Sequence, residues 1–393
     1  MKYTIGLLTV FLVLSCSHSV REQTDIPLIG IDVDDVKLLK LSDKFSEVSY
    51  VPLSDSLLIG TIERVKVYED KLFLLADRSV LVFDVNSGRA LSDVSHAGGG
   101  PGEYVTLYDM LYDKNENTIE LLDMNGKKVL KYGFDGLFIS EFKTPFSSFA
   151  FCKITPSAYL FYNNNMESDV TNHKLVLFDT KTSGIIANYF PIDKHMATYF
   201  FVLDANNFGS VMTPSFHFSA SDTVYGFTDS YIPYPKYVLN FGKHHVHPRF
   251  YRENYTDIRD FSEKAAQNSY IYAYGNFYEN DIMIVFSFHY DKKTYWVLYD
   301  KNTHDVTTAN RWIDDYHTNS PVDITYDNGP FALDDEYLYF FLQPVRLIEL
   351  MEKEKKTDSH KSSSLDSIYR SSGFSEESNP VLVKCKVKNS FAF

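Results

Sequence analysis

Cysteine and tryptophan are scarce in this sequence of 393 residues, with three of the first and two of the second. So few cysteines cannot frame a disulfide-stapled fold, and the three separate by role. Cys16 closes an apolar N-terminal segment, whereas Cys152 and Cys385 fall in predicted strands far apart in the chain. Those two could pair only if their strands met, and they read as small buried hydrophobes. A concentrated basic stretch is also missing, and the net charge is −14. Binding to phosphate backbones needs a basic face, so nucleic acid is excluded as a partner. Lys353, Lys355 and Lys356 alternate with Glu and read as a solvated helix face. Beyond the N-terminus no apolar run is long enough for a transmembrane helix. Gly-x-Ser-x-Gly, His-Glu-x-x-His and a paired Cys/His nucleophile are all absent.

What is abundant is tyrosine and phenylalanine, 29 and 31 residues. Both favour the pleated, half-buried surface of strands. From Lys71 to Phe142 a cycle appears twice: an apolar strand ending in Asp, a second strand, a Gly turn and a further strand. KLFLLAD, VLVFDV and NSGR form one copy; TIELLDM, KVLKYGF, DG and LFISEF form the next. Units of roughly 40 residues that cannot bury both faces alone are blades of a β-propeller. The same pattern, less regular, predicts blade three over 149–190, blade four over 199–241, blade five over 270–312 and blade six from Val322. Blade six lacks a fourth strand, which Phe45–Leu53 supplies, leaving no long open edge. The expected fold is therefore all-β, a six-bladed β-propeller closed by an N-terminal strand, with small helical insertions. One insertion, Gly242–Ser269, looks helical; the other, Arg346–Asn379, starts as a helix and passes into Ser-rich, disorder-prone sequence. Asp84, Asp123, Asp135, Asp179 and Asp300 each end a strand before a turn and read as turn caps rather than as a catalytic series.

The N-terminus reads as an address. Residues 1–15 form a signal peptide whose apolar run, Ile5–Leu14, is too short to span a bilayer. Val13-Leu14-Ser15-Cys16 resembles a bacterial lipobox, which implies lipidation of Cys16. Residues 16–40 are then the lipidated Cys and a tether, and 41–393 the propeller. Three acyl chains would hold such a protein stably at a membrane.

Lipobox, EVSYVPL, Ile59-Gly60, FDVNSG and Gly99-Gly100-Pro101-Gly102-Glu103-Tyr104 together resemble the six-bladed β-propeller lipoproteins of Gram-negative gut bacteria, related in fold to NHL-repeat proteins. The resemblance implies a propeller at the cell envelope, lipid-anchored and periplasmic or surface-facing at the outer membrane. It implies no settled activity.

Candidate binding residues are His96, Gly99, Gly100, Gly102, Glu103 and Tyr104. The loop's backbone N–H groups could cradle an anion; equally, it could be a tight inter-blade crossing that only Gly permits. It lacks the Lys-Ser/Thr of a nucleotide-binding loop. His244, His245 and His247 invite a metal reading, but no cysteine is near and solvated histidines account for them. Asp314-Asp315, Asp334-Asp335-Glu336 and Asp327-Asn328-Gly329 read as turns, without the ligand alternation of a calcium loop. No catalytic residue, metal or cofactor is expected. The leading functional reading is a non-catalytic binding module for an envelope protein, peptide or glycan, with Trp312, Tyr316 and Phe250–Tyr255 as contact candidates. The rival is a metal-dependent hydrolase or lyase, lactonase-like, with carboxylates from several blades converging on the ring axis. A purely structural envelope component is a third reading.

Overall fold

The computed structural model describes residues 26–195, 207–209, 215–218, 220–272, 274–318, 320–322, 332–357, 364–371 and 373–388. Cys16 and the signal segment lie outside the described residues, as do the strands expected at 199–203 and 210–214 and the Asp327-Asn328-Gly329 turn. Six small sheets form a six-bladed β-propeller. Blade one runs Ile62–Tyr68, Lys71–Ala76, Ser79–Asp84 and Ala90–Val94, from the axis outward. Blade two runs Leu107–Asp113, Thr118–Asp123, Lys128–Gly133 and Phe138–Lys143, and blade three Ala150–Lys153, Ala158–Tyr162, His173–Asp179 and Gly184–Pro191.

The middle strands are apolar on both sides because a neighbouring blade covers each face. Every residue of Thr118–Asp123 and of Ala158–Tyr162 is buried. The apolar clusters accordingly lie between blades. Leu72, Leu74 and Phe83 of blade one pack on Tyr339 and Phe341 of blade six, while Phe73 and Val82 pack on Ile119 and Leu130 of blade two. Each blade is stabilised only through its neighbours, the expected economy of a radial repeat.

Closure is as the pattern predicts: Phe45–Pro52 pairs antiparallel with Val381–Val387, matching Val48 to Cys385 and Tyr50 to Val383. Gly88, in the NSG turn of blade one, has φ +70, and a Cβ there would lie 2.0 Å from the Pro52 carbonyl oxygen. That contact explains why the turn needs glycine.

Two features differ from expectation. Strand pairing begins inside the expected tether of residues 16–40. Leu28–Gly30 runs parallel to Pro233–Asn240 on the outside of blade four, and Lys37–Lys40 runs parallel to Val306–Asp314 on the outside of blade five. With Phe45–Pro52 on blade six, residues 28–52 form a strap over three successive rims. Ile29, Ile31, Val33, Leu39 and Leu41 are buried along it. Second, the stretch at Val322 does not open blade six. Ser320–Val322 pairs with Val306–Asp314 of blade five, and Ala332–Leu333 is the inner strand of blade six. Three residues have too little length to declare their sheet in sequence.

The described parts of both insertions pack against the ring. Asp257 caps the helix Ile258–Gln267 by accepting from the N–H groups of Arg259 and Asp260, and Phe250, Phe261 and Ala265 form a small core beneath it. The Ser-rich end of the second insertion is not wholly irregular: Ser364–Tyr369 is helical. Its Leu365 and Ile368 join Leu347 and Met351 of helix Pro344–Thr357 in the core of blades five and six.

Blade four carries a pH-sensitive element. His217 is buried beside Tyr274 and Phe277, and burial pushes its imidazole from 6.5 down to about 4. The unfolded chain therefore takes up a proton below pH 6.5 that the folded chain refuses until about pH 4. Stability is present above that window and is lost as pH falls through it, by roughly 3 kcal/mol. Urea midpoints measured from pH 7 to 4 should drop across this range and drop less in His217→Gln. Identical profiles would show that His217 does not set the slope.

Candidate functional site

The inner strands of blades one, two, three, five and six, with Phe208 and Gly209 of blade four, converge on a cavity of about 490 Å³ at the ring centre. Its walls are the C-terminal halves of those strands and the turns that follow. Blade one gives Lys66, Tyr68 and Glu69, and blade two gives Tyr112 and the turn Asp113–Glu116. Blade three gives Phe151, Cys152 and Lys153; Tyr278 and Glu279 come from blade five and Asp334 and Asp335 from blade six.

Charges at this wall are matched across blades. Lys66 of blade one lies 2.9 Å from the buried Asp109 of blade two. Asp109 also accepts the N–H of Phe151 from blade three, so one carboxylate ties three blades. Burial is the largest single influence on the Lys66 ammonium and lowers it, but Asp109, Tyr68 and Cys152 together hold it above the ordinary lysine value. Lys153 donates to Asp113 at 2.5 Å and to Glu120 at 2.8 Å. Glu120 is fully buried; it also accepts from the Tyr159 hydroxyl at 2.8 Å and lies 3.3 Å from Lys131. Burial is the largest influence on the Asp113 carboxyl and pushes it upward, yet Lys153 and the N–H groups of Glu116 and Asn115 together keep it below the ordinary range. On the far side Glu279 accepts from Lys236 at 2.8 Å and Lys301 at 3.0 Å. There too the lysines overcome the effect of burial and lower the carboxyl. Cys152 stays a protonated thiol, since burial pushes it up to about 12. It is free, as is Cys385 in blade six.

Asp113, Glu116 and Glu120 are the one cluster of three metal-ligating groups among the described residues, their oxygens within 4.8 Å of one another. All three come from blade two, and the ammonium groups of Lys153 and Lys131 already lie against them. A divalent ion would have to displace two paired cations there.

The glycine loop sits elsewhere. It enters Leu107–Asp113 at the end opposite the turn Asp113–Glu116, so it lies at the other face of the ring. Tyr104 is fully buried, donating to the Arg78 carbonyl and accepting from the His96 N–H. Glu103 accepts the Gly100 N–H at 2.7 Å. His96 is stacked on Tyr132, with a ring nitrogen 3.0 Å from the Gly136 carbonyl. Gly102 has φ +71, and a Cβ there would meet the Phe138 ring. Gly99 has open space about it. This is the geometry of a tight crossing between blades, with Glu103 directed back at its own loop.

Other candidates also take structural places. His244 is buried, against the expectation of solvated histidines, with Nδ1 2.9 Å from the Ser269 carbonyl. His245 lies 3.6 Å from Asp222, and His247 accepts the Arg249 N–H, so the three do not converge. Trp312 is fully buried between Phe45 and Phe340. Tyr316 donates to the Phe45 carbonyl, and Phe250 is buried under its helix. The Asp turn caps are as expected: Asp84 accepts from Asn86 and Ser87, Asp179 from Lys181 and Thr182, and Asp300 from Asn302 and Thr303.

Lys66, Lys153 and Glu279 of the wall, and Glu120 buried behind it, belong to no motif. Their signal was a charged residue set inside an apolar strand, in ERVKVY, AFCK, TIELLD and YGNFYE. Buried charges are rare unless paired.

Fold and site together define a six-bladed propeller whose central cavity is lined by apolar side chains and paired charges. The family model for DUF4934, a domain of unknown function, matches residues 25–386, and the chain belongs to this family. No curated protein matches it. Among solved structures, a Bacteroides fragilis protein named as an exported one has a TM-score of 0.70 at 19% identity, covering 92% of this chain and 100% of its own. A DUF4221-family protein from Bacteroides vulgatus has a TM-score of 0.49 at 10% identity, over 88% and 98%. Virginiamycin B lyase from Staphylococcus aureus has 0.38 at 10% identity, over 75% and 81%. The first likeness establishes the fold; the other two are too distant to bear on chemistry.

Proposed function

We propose that the chain is a non-catalytic binding module of the cell envelope, held at a membrane by lipid on Cys16, whose ring-centre cavity receives part of a protein, peptide or glycan partner. The observation that carries this reading is the charge pairing of the cavity wall. Lys66, Lys153 and Glu279 each face an opposite charge from another strand or blade. Groups so paired are fixed donors and acceptors, suited to recognition, whereas a catalytic acid or base needs a proton poised near neutrality. The export named for the Bacteroides fragilis relative accords with an envelope location.

A photo-crosslinking residue in place of Glu69 at the cavity mouth tests the module in cells. A reproducible envelope adduct, absent when the residue replaces exposed Lys181 instead, is expected. Membrane association lost in Cys16→Ala is the matching result for the anchor. One divalent ion per purified chain, released by Asp113→Ala, would favour the hydrolase or lyase reading and sink this one.

A further inference from the structure

We propose that the ring-centre cavity selects an uncharged, hydroxyl-rich ligand: a short neutral saccharide, free or at the end of a longer chain. The proposal rests on the binding reading above and specifies its ligand.

The first argument is electrostatic and has two layers. At the mouth, Glu69, Glu116 and Asp335 are exposed, and Lys114 is the exposed lysine among them. A polyanion approaching this rim meets like charge, which costs on-rate and affinity. Deeper in, the charges are already paired. Lys66 lies three residues before Glu69 on the inner strand of blade one, about 10 Å further along at strand rise. Among the described residues its ammonium and that of Lys153 are the cations of the inner wall, with side chains only 19% and 12% exposed. A cation that passes the rim therefore finds the carboxylates of Asp113 and Glu279 already held by lysines. Either kind of ion would have to compete with pairs already made at 2.9 Å and 2.8 Å, and breaking a buried pair costs several kcal/mol.

The second argument concerns hydrogen bonding. An ammonium has three donors and an ionised carboxylate about four acceptor positions, so a single ion pair saturates neither. Among the described residues Lys66 has Asp109 as its ion-pair partner, and Glu69 and Asp335 have none. A hydroxyl both donates and accepts, so it adds to this network without disturbing its charge balance. Charge-assisted hydrogen bonds to neutral hydroxyls are the stronger kind.

The third is shape. Tyr68 and Tyr112, both half-buried in the wall, have ring centroids 5.9 Å apart at 58°. Such faces accept the C–H side of a sugar while the polar wall takes its hydroxyls. The volume of about 490 Å³ is within the range of small-ligand sites.

Isothermal titration of the purified chain with maltotriose, cellotriose, mannotriose and xylotriose tests the proposal, with trigalacturonate, spermidine and trilysine as charged probes. At least one neutral trisaccharide should bind with Kd of about 1 mM or tighter, some −4 kcal/mol. Asn115→Trp, an exposed substitution that narrows the mouth, should weaken it at least tenfold while leaving thermal unfolding unchanged. Lys66→Met should weaken it as well. A polymer of the same sugar that binds as tightly per chain end assigns the ligand to a chain terminus; a polymer that does not assigns it to free oligosaccharide. Binding of a charged probe alone, blocked by Asn115→Trp, overturns the proposal and leaves the binding module standing. No neutral probe bound at about 10 mM, a limit near −3 kcal/mol, overturns it too. An empty Glu69 crosslink is the separate result that counts against the module itself.

Discussion

A chain lacking residues 26–52 is expected to be insoluble or to unfold without cooperativity. The deletion removes Ile29, Ile31, Val33, Leu39, Leu41, Phe45 and Val48, each almost wholly buried. At roughly 1.5–3 kcal/mol per buried side chain the loss is on the order of 10–20 kcal/mol. The whole stability of a domain is about 5–15 kcal/mol. The deletion also bares Val381–Val387 as an open edge strand of seven residues with mostly buried side chains, an aggregation hazard. Removing only 26–40 keeps the closing strand and uncovers the rims of blades four and five. That variant should fold with a urea midpoint well below the parent, and a peptide spanning 26–52 should rescue the longer deletion. A soluble, cooperative product of the longer deletion with an unchanged midpoint would mean that the strap is dispensable.

The second large effect is expected at Glu120. Alanine there takes one carboxylate from Lys153, which keeps Asp113, and one from Lys131, which keeps Glu116, and it removes the acceptor of the Tyr159 hydroxyl. Breaking a buried ion pair by removing one partner costs up to about 3–5 kcal/mol, against about 1 kcal/mol or less for Asp84→Ala, which loses an exposed turn cap. Glu120→Gln should fall between the two, because it can still accept from Tyr159. Urea unfolding at pH 7 measures all three. The double variant Glu120→Ala with Lys153→Met should cost less than the sum of the singles, since it removes both ends of one pair. Simple additivity would place the stabilising role of Glu120 outside the lysine pairs.

How much of this was readable in the sequence follows from what each feature needs. Blade strands such as KLFLLA and VLVKCKV are runs long enough to carry their own signal, and the structure places them where the pattern does. Asp84 and Asp300 were legible because a turn cap is a local event spanning two or three residues. Leu28–Gly30 and Lys37–Lys40 were not. They are three and four residues long, and only a neighbouring blade makes them strands. The cavity wall was illegible for a related reason. The Phe151 N–H bonds Asp109 across 42 positions and Lys236 bonds Glu279 across 43, and no spacing rule links such pairs. The glycine loop drew attention because its composition is extreme, yet that composition serves a backbone crossing. Chemistry at the ring centre is spread over ordinary lysines and glutamates, one or two per blade.

The strap also fixes the order in which the molecule can be finished. Ser46 and Lys386 share a hydrogen bond although they are 340 positions apart. During synthesis the segment 28–52 emerges first, while its partners at 233–240, 306–314 and 381–387 emerge last. Loops of that size close slowly, and a partial ring has nothing to close upon. The ring therefore works as a completeness check: any product truncated before Val381 leaves Phe45–Pro52 bare, and only the finished chain can hide it.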